Sequence, residues 1–426
     1  MNTRLMTGNE AAGWGMRLAE VDYLPAFPIT PQTEIIERMA AWIADGACGC
    51  RMVEMDSEHS MLTAAAAAAA TGVRVCTATS SQGLLHAMEM LYTVPGWRAP
   101  FVLINVSRGL ASPITLEADH NDALAAAGSG FLQIHCATCQ EVLDAMLLAF
   151  RLGEDPRVRL PVMVNMDGFL LSFTREPVHL PTVEAVRGFL PPHTPGPLRF
   201  RAGAPVAQAA SVLGGGPYSY FRYQAHLAAG QALEVYREAA VDFRDLFGRA
   251  MEAVDSYRME DAEYAFVLMG SHATKAMAAV DALRLHGWAI GVVRPRLLVP
   301  FPAPDLWQAL RGLRAVAVLD QNLAPGLGGA LYTWLAALQA QQGWQTGDRP
   351  GNGDSAAEAP PMLLGYVGGL GGRDITLAEF HRMAEEMRQA VRKGQAPPPR
   401  LLYTQEELDA VQGQLAVALG DDARPA

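Results

Sequence analysis

Residues 53–72 read VEMDSEHSMLTAAAAAAATG, and Glu58 stands at the mouth of a run of seven alanines. Asp56 or Ser57 can cap that helix, and the alanines let its axis come close to whatever it packs against. Glu58, in the first turn, is either an electrostatic cap worth about 0.3–1 kcal/mol or a proton donor at the edge of an apolar interface. In AFPITPQ at 26–32, Pro28 and Pro31 fix the backbone around Thr30. The Thr30 hydroxyl is then aimed at a ligand, or caps a helix opening with Pro31. In CTATSSQGL at 76–84 a strand pattern ends in hydroxyls and a glycine before a helix. Its N–H groups can meet an anion or a cofactor ring, although the spacing is not that of a phosphate-binding loop. In INVSRGLASP at 104–113, followed by DHND at 119–122, Arg108 offers the planar two-point grip that a carboxylate requires. An ion pair with Asp119 or Asp122 is the alternative. His120, between two acids, reads as a satisfied structural histidine ahead of a metal ligand.

The elements that would position these residues are those of an α/β protein. Val73–Thr77, Phe101–Val106 and Pro161–Asn165 are apolar, β-branched runs ended by turn-formers. Thr33–Ile43, Ser60–Ala70, Gln82–Tyr92 and Gln140–Leu152 carry helical patterns between them. This alternation predicts a doubly wound parallel sheet, with ligands at the carboxyl ends of its strands. Residues 186–260 form a proline-rich patch and a long charged helix pattern, read as a crossover over the surface. A second α/β unit follows, with strands at 264–270, 289–293 and 315–319. The expected domains are 1–185, a linker at 186–260, 261–342, and an exposed loop with a helical extension at 343–426.

Composition narrows the function. Of 426 residues half are hydrophobic, and 33 basic against 44 acidic residues give a net charge of −11. That balance argues against nucleic acid or an anionic membrane as the partner. The alanine run is too short and weakly apolar to span a bilayer, and the first residues lack a signal-peptide core. Five scattered cysteines make no disulfide framework, so a cytoplasmic setting is expected. Cys136-Ala-Thr-Cys139 reads as two small residues flanking a turn, ahead of a redox pair or half a metal site. No G-x-G-x-x-G opens a helix after a strand, which disfavours a stand-alone NAD dehydrogenase.

Taken together, the chain resembles the α subunit of the 2-oxoacid:ferredoxin oxidoreductases, closest to the pyruvate:ferredoxin type. The matching blocks are GNEAA (8–12), FPITPQTEIIE (27–37), EMDSEHSML (54–62), TATSSQGLLHAMEMLY (77–92), NVSRGLASP (105–113) and DHND (119–122). They continue with QEVLDAMLLAF (140–150), LPVMVNMDGF (160–169), FRYQ (221–224), VLMGSHATKAMAAVDALR (267–284), GVVRPRLLVPFP (291–302) and GYVGGLGGRDIT (365–376).

The resemblance implies a thiamine diphosphate enzyme built from several subunits, in which this chain supplies the pyrimidine-binding domain and a transketolase C-terminal-like α/β domain. A β subunit would hold the diphosphate and Mg²⁺, and γ and ferredoxin-like δ subunits would carry 4Fe-4S clusters. This chain itself would bind no metal. Electrons would pass to ferredoxin or an NAD-linked flavoprotein subunit, CoA would take the acyl group, and the assembly would be a dimer of hetero-oligomers. Glu58 would contact N1′ of the aminopyrimidine, so that the 4′-amino group can take the C2 proton. Thr30 and Arg108 would hold the 2-oxoacid, and Pro28, Ile29, Ser80, Ser81 and Gln82 would line the cofactor.

Departures from the family pattern bear on the acid. ALAAAGSGF follows DHND, Phe173 follows Ser172 where histidine is common, and Gln321 stands where arginine is frequent. These apolar changes point toward an aryl acid such as phenylglyoxylate beside pyruvate, with Phe131 or Phe173 lining the acyl pocket. A different class of reading is a non-catalytic scaffold subunit of an electron-transfer complex.

Overall fold

The computed structural model describes residues 2–197, 199–207, 211–345 and 360–419. Its first half is built on a sheet whose central strands, Val102–Ser107 and Val162–Asp167, are buried at every position. Such strands read as continuous β-branched runs because helices cover both faces. Leu132–His135, Val162–Asp167, Val102–Ser107 and Cys76–Thr79 lie side by side in parallel. Tyr23 bridges to Val75, and Tyr23–Ala26 pairs in parallel with Arg51–Glu54. The two faces are packed by separate apolar clusters. On one of them Ala65, Ala66 and Ala69 of the Glu58–Thr71 helix sit against Leu84, Met90 and Leu91.

A second parallel sheet runs Ile290–Pro295, Tyr264–Leu268, Ala315–Asp320, Met362–Val367 and Arg400–Leu401, with Val254–Tyr257 antiparallel at the first edge. Met362–Val367 and the Leu377–Lys393 helix therefore belong to this unit, not to a trailing extension. Six registered pairs with Ala315–Asp320 hold the strand there, a long-range pairing that local pattern does not announce. The expected exposed loop at 343–361 lies largely outside the described residues.

The two units are joined closely. Leu297–Val299, from the second half of the chain, adds an antiparallel edge to the first sheet at Leu132–His135. Arg294 grips Glu141 through two hydrogen bonds of 2.8 and 2.6 Å and also reaches Asp255 at 2.7 Å. The helix Gly215–Phe247 in the expected linker buries Val235, Tyr236, Ala239 and Phe243 in the first core. Its opening turns instead leave Tyr218, Tyr220 and Tyr223 exposed.

Two further sequence expectations shift. The strand expected from Val73 starts at Cys76, because Gly72 closes the alanine helix at φ +94° and Arg74 is drawn to Glu154 by two bonds of 2.7 Å. The single helix expected over 82–92 is two, Ser81–His86 and Met88–Trp97, parted at Ala87. The break lets the first piece turn toward Glu58 while the second packs on the alanine helix. No described helix is long and apolar enough to cross a membrane.

Candidate active site

The candidate catalytic and cofactor-lining residues follow the carboxyl ends of parallel strands. Thr30 lies beyond Tyr23–Ala26, Glu58 beyond Arg51–Glu54, Ser80 to Gln82 beyond Cys76–Thr79, and Arg108 beyond Val102–Ser107. These four strands are neighbours, so residues up to 78 positions apart in the chain meet at one edge.

Arg108 is buried and its guanidinium is already aimed. Nη1 donates to the Thr30 carbonyl at 2.7 Å and Nη2 to Gln82 Oε1 at 2.6 Å, while Nε has no partner. Burial is the larger influence on its pKa and lowers it, against the pull of Asp122. The ion pair proposed as the alternative does not form. The Asp122 carboxylate instead accepts from the backbone N–H groups of Ser81 (3.0 Å), Arg108 (3.2 Å) and Ala123 (2.6 Å). The Ser81 N–H is thereby used up, so the expected anion contact at the start of that helix is not available. The Ser81 hydroxyl lies 2.8 Å from both Gln82 Oε1 and the Gly109 carbonyl.

Thr30 is exposed, and it does not cap a helix. The helix begins at Thr33 with Gln32 as the capping residue, because Gln32 turns back onto the Ile29 and Phe27 carbonyls. Pro28 and Ile29 belong to this same turn, with Pro28 exposed and Ile29 half-buried.

Glu58 sits in the first turn of its helix, with Ser57 as the cap accepting from Ser60 N–H. Its carboxylate is buried to 9 % side-chain exposure and lies 3.0 Å from His86 Nδ1. A Cβ on Gly83 would meet Glu58 Oε1 at 2.6 Å and Thr79 Oγ1 at 2.5 Å, so only glycine allows this approach. Gln82 and Gly83, consecutive in the chain, thus touch Arg108 and Glu58 respectively. Thr79 Oγ1 and Ser80 Oγ are buried and unpartnered beside them. A buried carboxylate with two open hydroxyls and a glycine cradle fits the aminopyrimidine of thiamine diphosphate, whose ring nitrogen and amino group need those partners.

His86 was not singled out from sequence. Its position three residues after Gly83 on a short helix, hence on the same face, was the available signal.

Other candidates fall elsewhere. His120 Nε2 lies 2.7 Å from Asp167 Oδ1, fully buried, which makes it structural. Among the described residues no group of three or more side chains could hold a metal ion. Cys136 and Cys139 are buried free thiols, and burial pushes Cys139 up to about 12. Phe131 cannot line an acyl pocket. It is fully buried in the core, edge-on to Phe101 at 5.6 Å. Phe173 stacks on Phe169 at 4.8 Å and faces a polar cleft with Glu34, Glu37 and Arg38. Ala127 and Gly128 of the alanine-rich stretch line an apolar cavity of about 440 Å³ against Leu298, Phe301 and Trp334 of the second half.

Residues 14–240 match the family described as pyruvate flavodoxin/ferredoxin oxidoreductase, thiamine diphosphate-binding, and 262–346 match the pyruvate:ferredoxin oxidoreductase core domain II. The chain is 37% identical to pyruvate synthase subunit PorA of Methanothermobacter thermautotrophicus, over 90% of this chain and 94% of that one. It is 35% identical to ketoisovalerate oxidoreductase subunit VorA of Pyrococcus horikoshii, over 92% and 95%. Its fold resembles a solved 2-oxoglutarate:ferredoxin oxidoreductase from Magnetococcus marinus, with a TM-score of 0.67 at 19% identity, covering 90% of this chain and 65% of that one.

Proposed function

The chain belongs to the pyruvate flavodoxin/ferredoxin oxidoreductase family as an α-type subunit, and on that premise we propose that it helps to catalyse the CoA-dependent oxidative decarboxylation of a 2-oxoacid. The observation that carries this reading is the meeting of Arg108 and Glu58 across Gln82 and Gly83 at one sheet edge. Arg108 binds the substrate carboxylate by its fork, whose two Nη groups each keep a second N–H beyond the bonds to Thr30 and Gln82. The Thr30 hydroxyl orients the neighbouring carbonyl. Glu58 holds a proton at the pyrimidine N1′, and its burial keeps water from competing for that proton. Pro28, Ile29, Ser80, Ser81 and Gln82 line the ring. When bound, thiamine diphosphate supplies the nucleophilic carbon that attacks the 2-oxo group and takes up the electron pair left as CO₂ departs.

In the same proposal a β subunit holds the diphosphate and Mg²⁺, and γ and δ subunits carry 4Fe-4S clusters to ferredoxin or an NAD-linked subunit. The assembly is a dimer of hetero-oligomers in the cytoplasm. Pyruvate and phenylglyoxylate bracket the proposed acyl size. With Phe131 in the core, an aryl group is left to Phe173 and the alanine-rich 123–127 stretch.

The test is anaerobic viologen reduction by the native complex. The panel holds pyruvate, 2-oxoglutarate, branched 2-oxoacids, oxalate and phenylglyoxylate, each with and without CoA. CoA-dependent reduction by one acid supports the reading and names the substrate. Silence across the panel, with thiamine diphosphate and clusters present, sinks it in favour of a scaffold role.

A further inference from the structure

We propose that Asp122 is the positioning residue for the substrate grip, and that the second α/β unit holds it in place. Asp122 is fully buried, and all three of its hydrogen bonds come from backbone N–H groups. Two of the donors, Ser81 and Arg108, follow different strands, Cys76–Thr79 and Val102–Ser107. One carboxylate oxygen thus fixes the spacing between the Arg108 backbone and the helix bearing Gln82, the side chain that receives the Arg108 guanidinium. Ser81 needs such an anchor, since its φ of +47° lies in the left-handed region that a serine rarely adopts.

From behind, the 118–122 segment is tied to the second unit by four hydrogen bonds, the longest from Gln321 Nε2 to the Ala118 carbonyl at 3.5 Å. His120 N–H donates to the Gln321 carbonyl at 2.8 Å, Leu323 N–H to Asn121 Oδ1 at 3.0 Å, and Gly372 N–H to the Ala118 carbonyl at 2.8 Å. Arg108 is therefore set by a chain of bonds that starts in the loops after Ala315–Asp320 and Met362–Val367, strands of the other sheet. The kinetic consequence rests on the reading of Arg108 as the carboxylate grip; the structural link does not.

Two measurements on the intact complex test this. Hydrogen exchange in Asp122→Ala, which removes both acceptor oxygens, should speed at the Ser81 and Arg108 amides by about 10-fold, a hydrogen bond's worth of protection. Amides inside Tyr264–Leu268 should keep their wild-type rates. Unchanged exchange at Ser81 and Arg108 overturns the proposal, whether or not the enzyme turns over. In steady state, Asp122→Ala should lower kcat/KM for the 2-oxoacid about 100-fold through KM, with KM for CoA unchanged. Asp122→Asn, which keeps one acceptor oxygen, should recover part of that loss, and Asn121→Ala should show a smaller rise in KM. An equal rise in both KM values marks general damage and overturns the positioning role. A wild-type complex silent on every 2-oxoacid counts against the proposed function, while amide exchange still decides Asp122.

Discussion

The molecule contains two parallel sheets with helices on both faces, and their strand ends are used differently. At the carboxyl edge of the first, Thr79 Oγ1, Ser80 Oγ and Arg108 Nε are buried without partners, around a buried carboxylate. At the same edge of the second, the bonding capacity is spent on the protein itself. Ser271 N–H donates to Asp167 at 2.8 Å, Asp320 accepts from Leu331 and Tyr332 N–H, and the Gln321 carbonyl accepts from His120. Its own orphaned atoms, on His272, Gln321, Arg294 and Arg296, belong to side chains packed into the junction, where the two arginines grip Glu141 of the first unit and His272 faces Gln321. Polar groups left open inside a fold cost stability unless a ligand completes them. The first edge is thus built for a ligand and the second for holding the first.

If this contrast is right, the largest effect should come from Glu58→Gln. Viologen reduction should fall roughly 100- to 10,000-fold, the usual scale of a lost proton donor, with the complex still assembled. A change no larger than that of a lost helix cap, about 1 kcal/mol in stability, would reduce the first edge to a scaffold as well. Arg108→Lys keeps the charge but not the fork. It should cost about 1.5–3 kcal/mol of binding, read as a roughly 10- to 150-fold rise in KM for the 2-oxoacid. Gly83→Ala should lower kcat about 10-fold, since its Cβ would press on Glu58 and Thr79, and the crystal structure of the variant should show the carboxylate displaced.

The junction should respond to pH instead. Burial alone would lower the His120 pKa, but Asp167 overrides it and the net shift is upward. Asp167, despite burial, is held well below the usual carboxylate range by His120. The stabilisation from His120 is full below its ordinary value near 6.5 and is lost as pH rises through the raised one. The Asp167 part is lost only in strong acid. Melting of the complex should therefore drop by a few degrees on the alkaline side, and Asp167→Asn, less stable throughout, should flatten that slope. The smallest effect is a control outside both edges. Gly230→Ala, at an exposed position of the Gly215–Phe247 helix with nothing near its Cβ, should raise stability by about 0.5–1 kcal/mol and leave turnover alone.

Much of the first unit was legible because its signals are local. FVLINV and PVMVN show buried strands by composition, Asp56 or Ser57 marks a helix start that the structure assigns to Ser57, and the reading of ligands at strand ends follows from the parallel sheet. The second sheet was only half legible, since Met362–Val367 gains its place by pairing with a strand more than forty residues earlier. Phe131 misled because an aromatic near candidate residues in sequence gives no sign of which face it will occupy.

The order of residues alone established the chemical inventory: a carboxylate heading an alanine helix, a threonine between prolines, and an arginine closing a buried strand. These depend on propensity, capping and residue type, which act over a few neighbours. Which atoms meet is a matter of strand order in space. Arg108 reaches the Thr30 carbonyl across 78 positions, Asp122 takes the Ser81 N–H across 41, and His86 finds Glu58 across 28. No local pattern encodes those separations, because each bond needs two loops brought side by side by a sheet that is itself assembled from distant strands.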